Sequence, residues 1–367
     1  MIIGVTGAAG MLGTHVRAYL KGRPEIEVRM ADSATFEQGG LAAFVTGCDA
    51  VLHLAGMNRG EDDVVARTNV AITEQLIGAL EETGSCAHVL FSSSTHVDRD
   101  THYGTSKRQA AALLEAWART SGGRFTNVIL PGVFGEGGRP FYNSVVATFC
   151  AQIARDEAPT VHGDALTEQI HAQDVARRLL TLIENHETGT VRVQVETLTV
   201  TALRDLLADM HALYGGHIIP DLRLPFHRDL FNTYRSFLFP HRYPVPLTLH
   251  TDARGSLFEA VKSPTGGQTF MSTTHPGVTR GNHFHTRKVE RFLVSGGEAE
   301  IRLRHIFGTD VHTFRVSGDQ PSYVDIPTLH THNITNTGSG TLITMFWTNE
   351  LFDPAAPDQV QEMVELA

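Results

Sequence analysis

The chain has 367 residues, of which 41% are hydrophobic and 19% are charged, and this ordinary globular usage excludes disordered, collagen-like and coiled-coil classes. Its length is well above the ~150 residues of a common domain and therefore predicts at least two domains. A formal charge of −10 without a long Lys/Arg cluster argues against nucleic-acid binding, and no apolar run reaches the ~20 residues that cross a bilayer. The chain opens on the strand-like MIIGVTG rather than on a signal peptide, and its three cysteines are too widely spaced for a disulfide framework, so we expect a cytoplasmic protein.

Predicted strands alternate with predicted helices up to about residue 190. Strand-like runs occur at MIIGVTG, EIEVRMAD, AVLHLAG, AHVLFSS and TNVILPGVFG, and helical stretches cover residues 11–21, 61–82 and 103–120. This alternation indicates βαβ units, and the apolar VLHL and HVLF runs are typical of strands that are buried on both faces. The first fold is therefore predicted to be α/β, a Rossmann-type doubly wound parallel sheet.

The pattern changes after about residue 245. Short strand-like runs follow one another there, separated by Gly, Pro, Asn, Asp and Thr turns, with no convincing helix before the last few residues. This pattern predicts an all-β second fold, an antiparallel barrel or jelly roll. We place the two domains at residues 1–245 and 246–367. The stretch between about Val200 and Pro246 starts helical, over residues 203–213, and ends rich in Pro and Tyr, and we expect it to be the tail of the first domain running into a linker.

The first predicted strand is followed by a glycine-rich turn, TGAAGMLG. Gly7, Gly10 and Gly13 stand between that strand and the next helix, and Met11 and Leu12 begin the helix. Glycines at such a turn let the backbone approach a pyrophosphate, whose charge the helix N-terminus stabilises. These five residues are candidate dinucleotide-binding residues, although a glycine-rich turn can also be only a turn.

An acidic residue ends the second predicted strand. Asp32 lies 19 residues after Gly13, where a carboxylate would bind the ribose 2′-hydroxyl and repel a 2′-phosphate. Arg29 lies close enough to complicate this argument, and Asp32 could also be a solvated strand end. The residues themselves favour NADH or the use of both nicotinamide cofactors.

A YxxxK spacing begins the helix after the fourth predicted strand. Tyr103 and Lys107 are four residues apart and so share one helical face, where an ammonium beside a phenol is expected to lower the phenol pKa. Such a tyrosine can donate its proton to the alkoxide formed from a ketone. Ser94, at the end of the preceding strand, is our candidate for binding the substrate carbonyl, with Ser93 and Thr95 as alternatives.

Together these segments resemble the extended short-chain dehydrogenase/reductase family over about the first 240 residues. The similarity rests on TGAAGMLG, HLAG, TNV, FSSS, YGTSK, LPGVFG and IHAQDVA, in that order. The loop from Ser94 to Tyr103 is shorter than is usual in that family. The resemblance implies a NAD(P)-binding domain whose further cofactor contacts are Leu54, Ala55, Gly56, Asn69, Ser92, Lys107 and Pro131.

The second predicted domain carries a histidine and glutamate pattern that resembles the cupin family in both of its motifs. His283 and His285 are two apart and point to one face of a strand, Glu290 follows a short turn, and His332 returns from a later strand. Three imidazoles and a carboxylate can hold Zn, Mn, Fe or Ni, and we take zinc as the first candidate. Leu329 stands where the family usually has a turn glycine. A metal-free domain with packed histidines is the alternative.

The order of the two domains resembles the CapF-type bifunctional UDP-2-acetamido-2,6-dideoxy-hexulose epimerase/reductases, which act in capsule and O-antigen synthesis. The similarity covers the whole chain and rests on HLAGMNR, RPFYNSVVATFC, RGNHFH, VDIP, THNI and NELFDP. It implies that the cupin domain inverts carbon 3 of a UDP-linked 4-keto-6-deoxy amino sugar and that the reductase domain then reduces carbon 4 with NADPH. The candidate bases and acids of the inversion are His330, Lys288, His305 and Tyr323.

Three hypotheses follow from these patterns. The first is the bifunctional enzyme, the second a nucleotide-sugar 4-ketoreductase with a structural or dimerising cupin, and the third a non-enzymatic sensor of the cofactor ratio. The Tyr103–Lys107 pair argues against the sensor because a sensor needs no proton donor. We expect a homodimer, since the resembled family is commonly dimeric.

Overall fold

The computed structural model describes residues 1–193, 195, 197–253 and 255–366. The chain divides into two compact units, an N-terminal unit of Met1–Thr148 with His162–Val200 and a C-terminal unit of Phe149–Val161 with Thr201–Ala367. Over the described residues, no helix combines the length and the apolar character that crossing a membrane requires.

Up to residue 199 the chain alternates strands and helices as predicted. The strands are β1 (Ile2–Thr6), β2 (Glu27–Ala31), β3 (Ala50–His53), β4 (His88–Ser94), β5 (Arg124–Leu130), β6 (Gly132–Phe134), β7 (Leu166–His171), β8 (Gly189–Arg192) and β9 (Thr197–Thr199). The helices are α1 (Met11–Lys21), α2 (Ser33–Glu37), α3 (Leu41–Val45), α4 (Asp62–Glu82), α5 (His102–Ser121), α6 (Val145–Ile153) and α7 (Ala172–Glu184). A 3-10 turn, Thr95–Asp98, precedes α5.

Six strands of the N-terminal unit form one parallel sheet in the order β2-β1-β3-β4-β5-β8. A hydrophobic core covers each face of this sheet: β1 packs with α1 and α7 on one side, and β4 packs with α4 and α5 on the other. The sheet is therefore doubly wound, which confirms the predicted fold class. The strand order reverses between β1 and β3, and ligands of such sheets bind at the carboxyl ends of the strands at that point.

Helix α5 begins and ends where its local sequence dictates. The Thr101 side chain caps its first turn by accepting a hydrogen bond from the Gly104 amide at 3.1 Å, and Gly122 ends it with φ of +77°. This start puts Tyr103 in the first turn of the helix and Lys107 one turn later, beside the end of β4.

The C-terminal unit contains two further helices and twelve strands among its described residues. The helices are α8 (Val200–Gly215) and α9 (Pro225–Ser236). The strands are β10 (Val245–Pro246), β11 (His250–Asp252), β12 (Gly255–Leu257), β13 (Gln268–Thr274), β14 (Thr279–Phe284), β15 (Glu290–Gly296), β16 (Glu298–His305), β17 (Val311–Ser317), β18 (Ser322–Ile326), β19 (His330–Asn336), β20 (Leu342–Thr348) and β21 (Val360–Gln361).

Two five-stranded antiparallel sheets build this unit, in the orders β10-β18-β15-β20-β13 and β17-β16-β19-β14-β21. Their apolar faces share a core that includes Phe292, Val294, Ile301 and Ile334. The predicted all-β, antiparallel second fold is therefore confirmed. In the part of the chain that is described, the last residues pair as β21 instead of forming a helix.

The stretch that we expected to be a linker contains helix α9. Its apolar residues recur at helical spacing, at Phe226, Leu230, Phe231 and Tyr234, a signal that we missed because we considered only the Pro and Tyr content. The helix also buries the polar Asp229, Asn232 and Arg235. The boundary between the two predicted domains at residue 245 stays a prediction.

Helix α8 is joined to the β-sheets by a buried polar network. The Tyr214 hydroxyl donates to Asp325 Oδ2 at 2.5 Å, and Arg291 donates to both oxygens of Asp325 at 2.7 and 2.9 Å. The Arg291 guanidinium lowers the pKa of Asp325 despite the opposing effect of burial, so this carboxylate stays charged. Residues from Thr201 onward are therefore an integral part of the C-terminal unit.

Candidate active site and candidate metal centre

The glycine-rich turn has the close packing that a dinucleotide cradle requires. Gly7 follows β1 with φ of +67°, and a Cβ placed on it would lie 2.8 Å from the Ala55 amide nitrogen. A Cβ on Gly13 would lie 2.3 Å from the Gly7 carbonyl oxygen. Gly10 is the N-cap of α1, whose first turn, Met11 and Leu12 included, carries no acidic residue. These residues leave the helix N-terminus open to an anion and fit a bound pyrophosphate.

The segment after β3 lies against this turn. The Ala55 amide donates to the Thr6 hydroxyl at 3.1 Å, which holds residues 54–56 beside the end of β1. Asn69 from α4 makes two hydrogen bonds with the Met57 backbone, at 2.7 and 2.8 Å. The predicted cofactor residues Leu54, Ala55, Gly56 and Asn69 are therefore brought together at the edge of the sheet where its strand order reverses.

The predicted catalytic residues of the N-terminal unit also meet. Lys107 is buried, and its Nζ donates to the carbonyl oxygen of Ser92 at 2.9 Å and lies 5.8 Å from the centre of the Tyr103 ring. The Ser94 side chain lies close enough to the Tyr103 hydroxyl to lower the pKa of that phenol. Ser93, one residue earlier on β4, points to the opposite face and is buried, which favours Ser94. Pro131 is buried between β5 and β6, and Ser92 offers its carbonyl rather than its hydroxyl to Lys107.

Burial controls the protonation of this pair. Desolvation lowers the pKa of Lys107 to about 8. Desolvation also raises the pKa of Tyr103 above its usual value, and the hydrogen bond with Ser94 opposes this rise only in part. Our expectation that the pKa of Tyr103 is lowered was therefore wrong, because desolvation of the phenol dominates. A raised pKa keeps the phenol protonated, which is the form that a proton donor needs.

Asp32 has a structural partner that the sequence pattern did not suggest. Its Oδ1 accepts hydrogen bonds from the Thr35 amide and hydroxyl, both at 2.9 Å, so Asp32 is the N-cap of α2. These bonds lower the pKa of Asp32. Arg29 is bonded to Glu27 at 2.8 Å and to the Thr46 carbonyl oxygen, and Arg29 and Asp32 line the same shallow cavity.

In the C-terminal unit the four predicted metal ligands come together. The potential ligand atoms of His283, His285, Glu290 and His332 all lie within 4.8 Å of one another. His283 on β14 is paired with His332 on β19, whereas Glu290 begins β15 of the other sheet, so the cluster lies between the two sheets. Glu290 Oε2 is 2.9 Å from His285 Nε2 and 3.3 Å from His332 Nε2.

Backbone contacts orient two of these imidazoles as metal ligands. His285 Nδ1 lies 2.5 Å from the Asp358 carbonyl oxygen and His332 Nδ1 lies 3.2 Å from the His330 carbonyl oxygen, which places the proton on Nδ1 and a lone pair on Nε2. Within the described part of the chain, the buried Nε2 of His332 makes no well-aligned hydrogen bond, although Glu290 Oε2 lies 3.3 Å away. The donor set and this nitrogen fit a divalent cation.

The cluster lies in a cavity of about 300 Å³. Of the four candidate bases and acids, Lys288 lines this cavity, whereas His330, His305 and Tyr323 are not part of its lining. The His330 ring packs against His305 and Phe239 at 5.2 and 4.8 Å between ring centres. Tyr323 lies under the Arg291 guanidinium, 3.5 Å from its ring centre.

Several cavity residues were not identified from the sequence. The cavity is also lined by Gln268, Phe270, Arg280, Phe352 and Gln359. Arg280 belongs to the RGNHFH segment and Phe352 to NELFDP, so the resemblance marked their segments but not their roles. Gln268 and Phe270 carried no signal, because only the pairing of β13 with β20 brings them to the cavity.

A second group of histidines and a carboxylate lies inside the N-terminal unit. His15, Glu136 and His171 are buried with their potential ligand atoms close together. His15 Nε2 is 2.9 Å from the Glu136 carbonyl oxygen, and Gln173 Nε2 is 3.1 Å from His15 Nδ1. Because hydrogen bonds already engage both ring nitrogens of His15, we interpret this group as polar packing of α1 and α7.

Comparisons with known proteins agree with this geometry. Residues 3–195 match the NAD dependent epimerase/dehydratase family, and residues 250–360 match the Polysaccharide biosynthesis C-terminal domain. The chain is 33% identical over 359 residues to a UDP-2-acetamido-2,6-beta-L-arabino-hexul-4-ose reductase of Pseudomonas aeruginosa, with 96% of each chain covered.

Solved structures show the same two-domain arrangement along the chain. The capsular polysaccharide assembling protein CapF from Staphylococcus aureus is 33% identical, with a TM-score of 0.63 and coverage of 99% of this chain and 100% of that one. RMD from Pseudomonas aeruginosa, solved with NADPH, shares the fold of the first part at 24% identity, with a TM-score of 0.50 and coverage of 57% and 82%. The chain therefore belongs to the NAD dependent epimerase/dehydratase family and, within it, to the CapF-type proteins with a polysaccharide-biosynthesis C-terminal domain.

Proposed function

We propose that this protein is a bifunctional nucleotide-sugar enzyme of capsular polysaccharide or O-antigen precursor synthesis. Its C-terminal unit, a metal-binding cupin, inverts carbon 3 of UDP-2-acetamido-2,6-dideoxy-4-hexulose. Its N-terminal unit then reduces the carbon 4 ketone with NAD(P)H to UDP-2-acetamido-2,6-dideoxy-L-talose, a step toward UDP-N-acetyl-L-fucosamine. The names of the curated relative and of the S. aureus structure support this substrate class.

The observation that carries the proposal is the cavity of the C-terminal unit. It is lined by Lys288 and by three members of the metal-ligand cluster, His283, His285 and Glu290. A domain that served only for structure or for dimerisation would not need an amine beside such a ligand set.

The inversion requires removal and return of the carbon 3 proton. A divalent metal would be held by His283, His285, Glu290 and His332, and zinc is our first candidate. Such an ion supplies a Lewis acid for the developing enolate oxygen. Lys288 is our candidate for the group that moves the proton, because it lines the cavity and donates a hydrogen bond to the Pro357 carbonyl oxygen at 2.5 Å.

The predicted role of His330 as a second proton carrier lacks this support, since His330 does not line the cavity. It stays a prediction that His330→Ala tests on its own. Exchange of the carbon 3 proton that is unchanged in His330→Ala would remove this residue from the mechanism.

The reduction uses the polar residues at the end of β4 and the start of α5. Ser94 would hold the carbon 4 carbonyl, and the neutral phenol of Tyr103 would donate its proton to the alkoxide oxygen. The buried ammonium of Lys107 would stabilise the negative charge that this transfer leaves on Tyr103. Bound NAD(P)H supplies the hydride for carbon 4. Inversion must precede reduction, since only the ketone makes the carbon 3 proton acidic.

Exchange of the carbon 3 proton tests the first activity. The protein is incubated with UDP-2-acetamido-2,6-dideoxy-4-hexulose in D₂O without nicotinamide, and the carbon 3 proton is followed by NMR. We expect exchange faster than in a protein-free sample, lost with a chelator or in His283→Ala and kept in His275→Ala, an exposed histidine outside the cluster. Exchange no faster than the protein-free rate would leave a ketoreductase whose C-terminal unit is structural.

We also propose that the protein is a homodimer. Light scattering of the purified protein across a concentration series tests this, with a dimer mass expected at micromolar concentration. A monomer mass throughout the series would contradict it.

A further inference from the structure

A segment close to the C-terminus forms part of the candidate metal site. Residues 350–361, called the C-terminal strap below, include the end of the NELFDP motif and continue to β21. Phe352 and Gln359 of the strap line the cavity. Glu350 is anchored by Arg287, which donates to its Oε1 at 2.9 Å. The strap therefore reaches the cavity and is held by the turn between the ligands His285 and Glu290.

One carboxylate of the strap organises that turn. Asp358 Oδ1 accepts hydrogen bonds from the Thr286 amide at 3.0 Å and from the Thr286 hydroxyl at 2.7 Å. Its Oδ2 accepts from the amides of Arg287 and Lys288, both at 2.9 Å. The Asp358 side chain is only 4% exposed. A buried carboxylate with four donors is fully satisfied, so it fixes the backbone of three of the four residues that connect one ligand to the next.

The backbone of the same residue contacts a ligand directly. The Asp358 carbonyl oxygen accepts from His285 Nδ1 at 2.5 Å, and the preceding carbonyl, of Pro357, accepts from Lys288 Nζ at 2.5 Å. Asp358 has φ of +42°, which aspartate and asparagine tolerate better than most residues. Its carbonyl therefore faces His285 while its side chain binds the turn.

We propose that Asp358 is the positioning residue of the metal centre, which orients His285 through its carbonyl and Lys288 through the turn that its carboxylate holds. The inference rests on the proposed function only in taking His283, His285, Glu290 and His332 as metal ligands. Asp358 is not among the residues that line the cavity, and it acts through these neighbours. Contacts of this kind commonly change metal affinity by about 10-fold to 100-fold.

The test measures zinc binding by the full-length protein, without substrate. Zinc affinity and zinc release to a chromophoric chelator are compared in the wild type, Asp358→Ala, Asp358→Asn and Asp353→Ala. Asp353 lies on the strap as well, but it is exposed, and among the described residues its carboxylate accepts only the nearby Ala355 amide, at 2.9 Å. It is the matched control for the loss of a strap carboxylate.

We expect Asp358→Ala to lower zinc affinity by about 10-fold to 100-fold, while Asp353→Ala equals the wild type. Asp358→Asn keeps one acceptor oxygen and tolerates the positive φ, so it should lie between the two. Asp358→Ala could also weaken folding. If the circular dichroism spectrum of Asp358→Ala shows loss of structure, the zinc affinity of Asp358→Asn is the deciding measurement. Wild-type affinity in both Asp358 variants would overturn the inference.

A spectroscopic readout separates positioning from simple stabilisation. The visible absorption bands of Co²⁺, bound in place of zinc, report ligand geometry, so Asp358→Ala should shift them. A lower melting temperature with unchanged Co²⁺ bands would contradict positioning. A wild-type protein that binds neither zinc nor Co²⁺ would overturn the metal part of the proposed function itself, and the inference with it.

Discussion

Burial sets the chemistry of individual residues in the N-terminal site. Lys107 has lost most of its contact with water, and the resulting desolvation lowers its pKa to about 8, while burial raises the pKa of Tyr103. Near pH 7 the site therefore holds a charged ammonium and a neutral phenol. This is the pair that ketone reduction needs, whereas alcohol oxidation would need the phenolate.

The pH dependence of the reduction should follow Lys107. Because its pKa in the folded protein is about 8, the ammonium is lost as pH rises through that value, and kcat/KM for ketone reduction should fall above about pH 8. Burial of the charged ammonium lowers the stability of the folded protein. This destabilisation is complete below pH 8, and it is relieved as pH rises from 8 to the ordinary lysine pKa of 10.5. A rate profile that stays flat to pH 9.5 would contradict the assignment.

Removal of the phenol hydroxyl should separate chemistry from binding. Tyr103→Phe should lower kcat for reduction by about 10²-fold to 10⁴-fold, because a positioned proton donor contributes that much. NADPH affinity, measured by fluorescence titration, should stay close to that of the wild type, and carbon 3 exchange should be unaffected. Loss of less than 10-fold in kcat would remove Tyr103 from the reaction.

Asp32 should permit the use of NADH. Its Oδ1 is engaged in capping α2, but the carboxylate is exposed and can accept a further hydrogen bond from a ribose 2′-hydroxyl. We expect measurable NADH activity, and a shift of about 10-fold toward NADPH in Asp32→Ala because a charged hydrogen bond is lost. The measurement is kcat/KM with each cofactor. A wild-type preference of about a thousandfold for NADPH would contradict this prediction.

At the scale of single elements, tertiary packing overrides a local conformational preference. Leu329 adopts φ of +61° in the turn before β19, a conformation that favours glycine, which agrees with the sequence departure noted at this position. It is nevertheless 1% exposed, and its amide donates to the His285 carbonyl oxygen at 2.9 Å. Burial of the leucine side chain therefore offsets the strain of the turn.

The balance at Leu329 can be measured. Leu329→Gly relieves about 1 kcal/mol of backbone strain but removes a buried side chain worth about 3–5 kcal/mol, so it should destabilise the C-terminal unit by about 2–4 kcal/mol. The measurement is the midpoint of chemical unfolding, followed by a probe of that unit in the metal-free protein. A midpoint equal to or above that of the wild type would show that strain, not burial, dominates there.

At the scale of the whole molecule, a substitution in one unit should abolish the activity of that unit and leave the activity of the other unchanged. His283 and Tyr103 belong to different compact units. His283→Ala should therefore abolish carbon 3 exchange yet still reduce a ketone that is supplied already inverted, whereas Tyr103→Phe should show the reverse. NMR follows carbon 3 exchange with the uninverted 4-keto sugar and carbon 4 reduction with the inverted one. Loss of both activities in either variant would contradict separate sites.

The sequence by itself determined the order of elements, the two fold types and the identity of the clustered residues. Glycine spacing, YxxxK and the histidine pattern are local, and local spacing fixes which side chains share a helix face or a strand face. This is why α5, the Tyr103–Lys107 pair and the His283–His285 pair were predictable.

Only the tertiary structure decided which residues surround those groups and how they are protonated. The raised pKa of Tyr103 and the burial of polar side chains in α9 depend on neighbours that are distant along the chain or on desolvation. Asp358 lies 73 residues after His285 in the sequence, yet its carbonyl oxygen contacts the His285 ring. No spacing rule joins such a pair, because their contact is set by how the strap packs against the sheets and not by the local geometry of either segment.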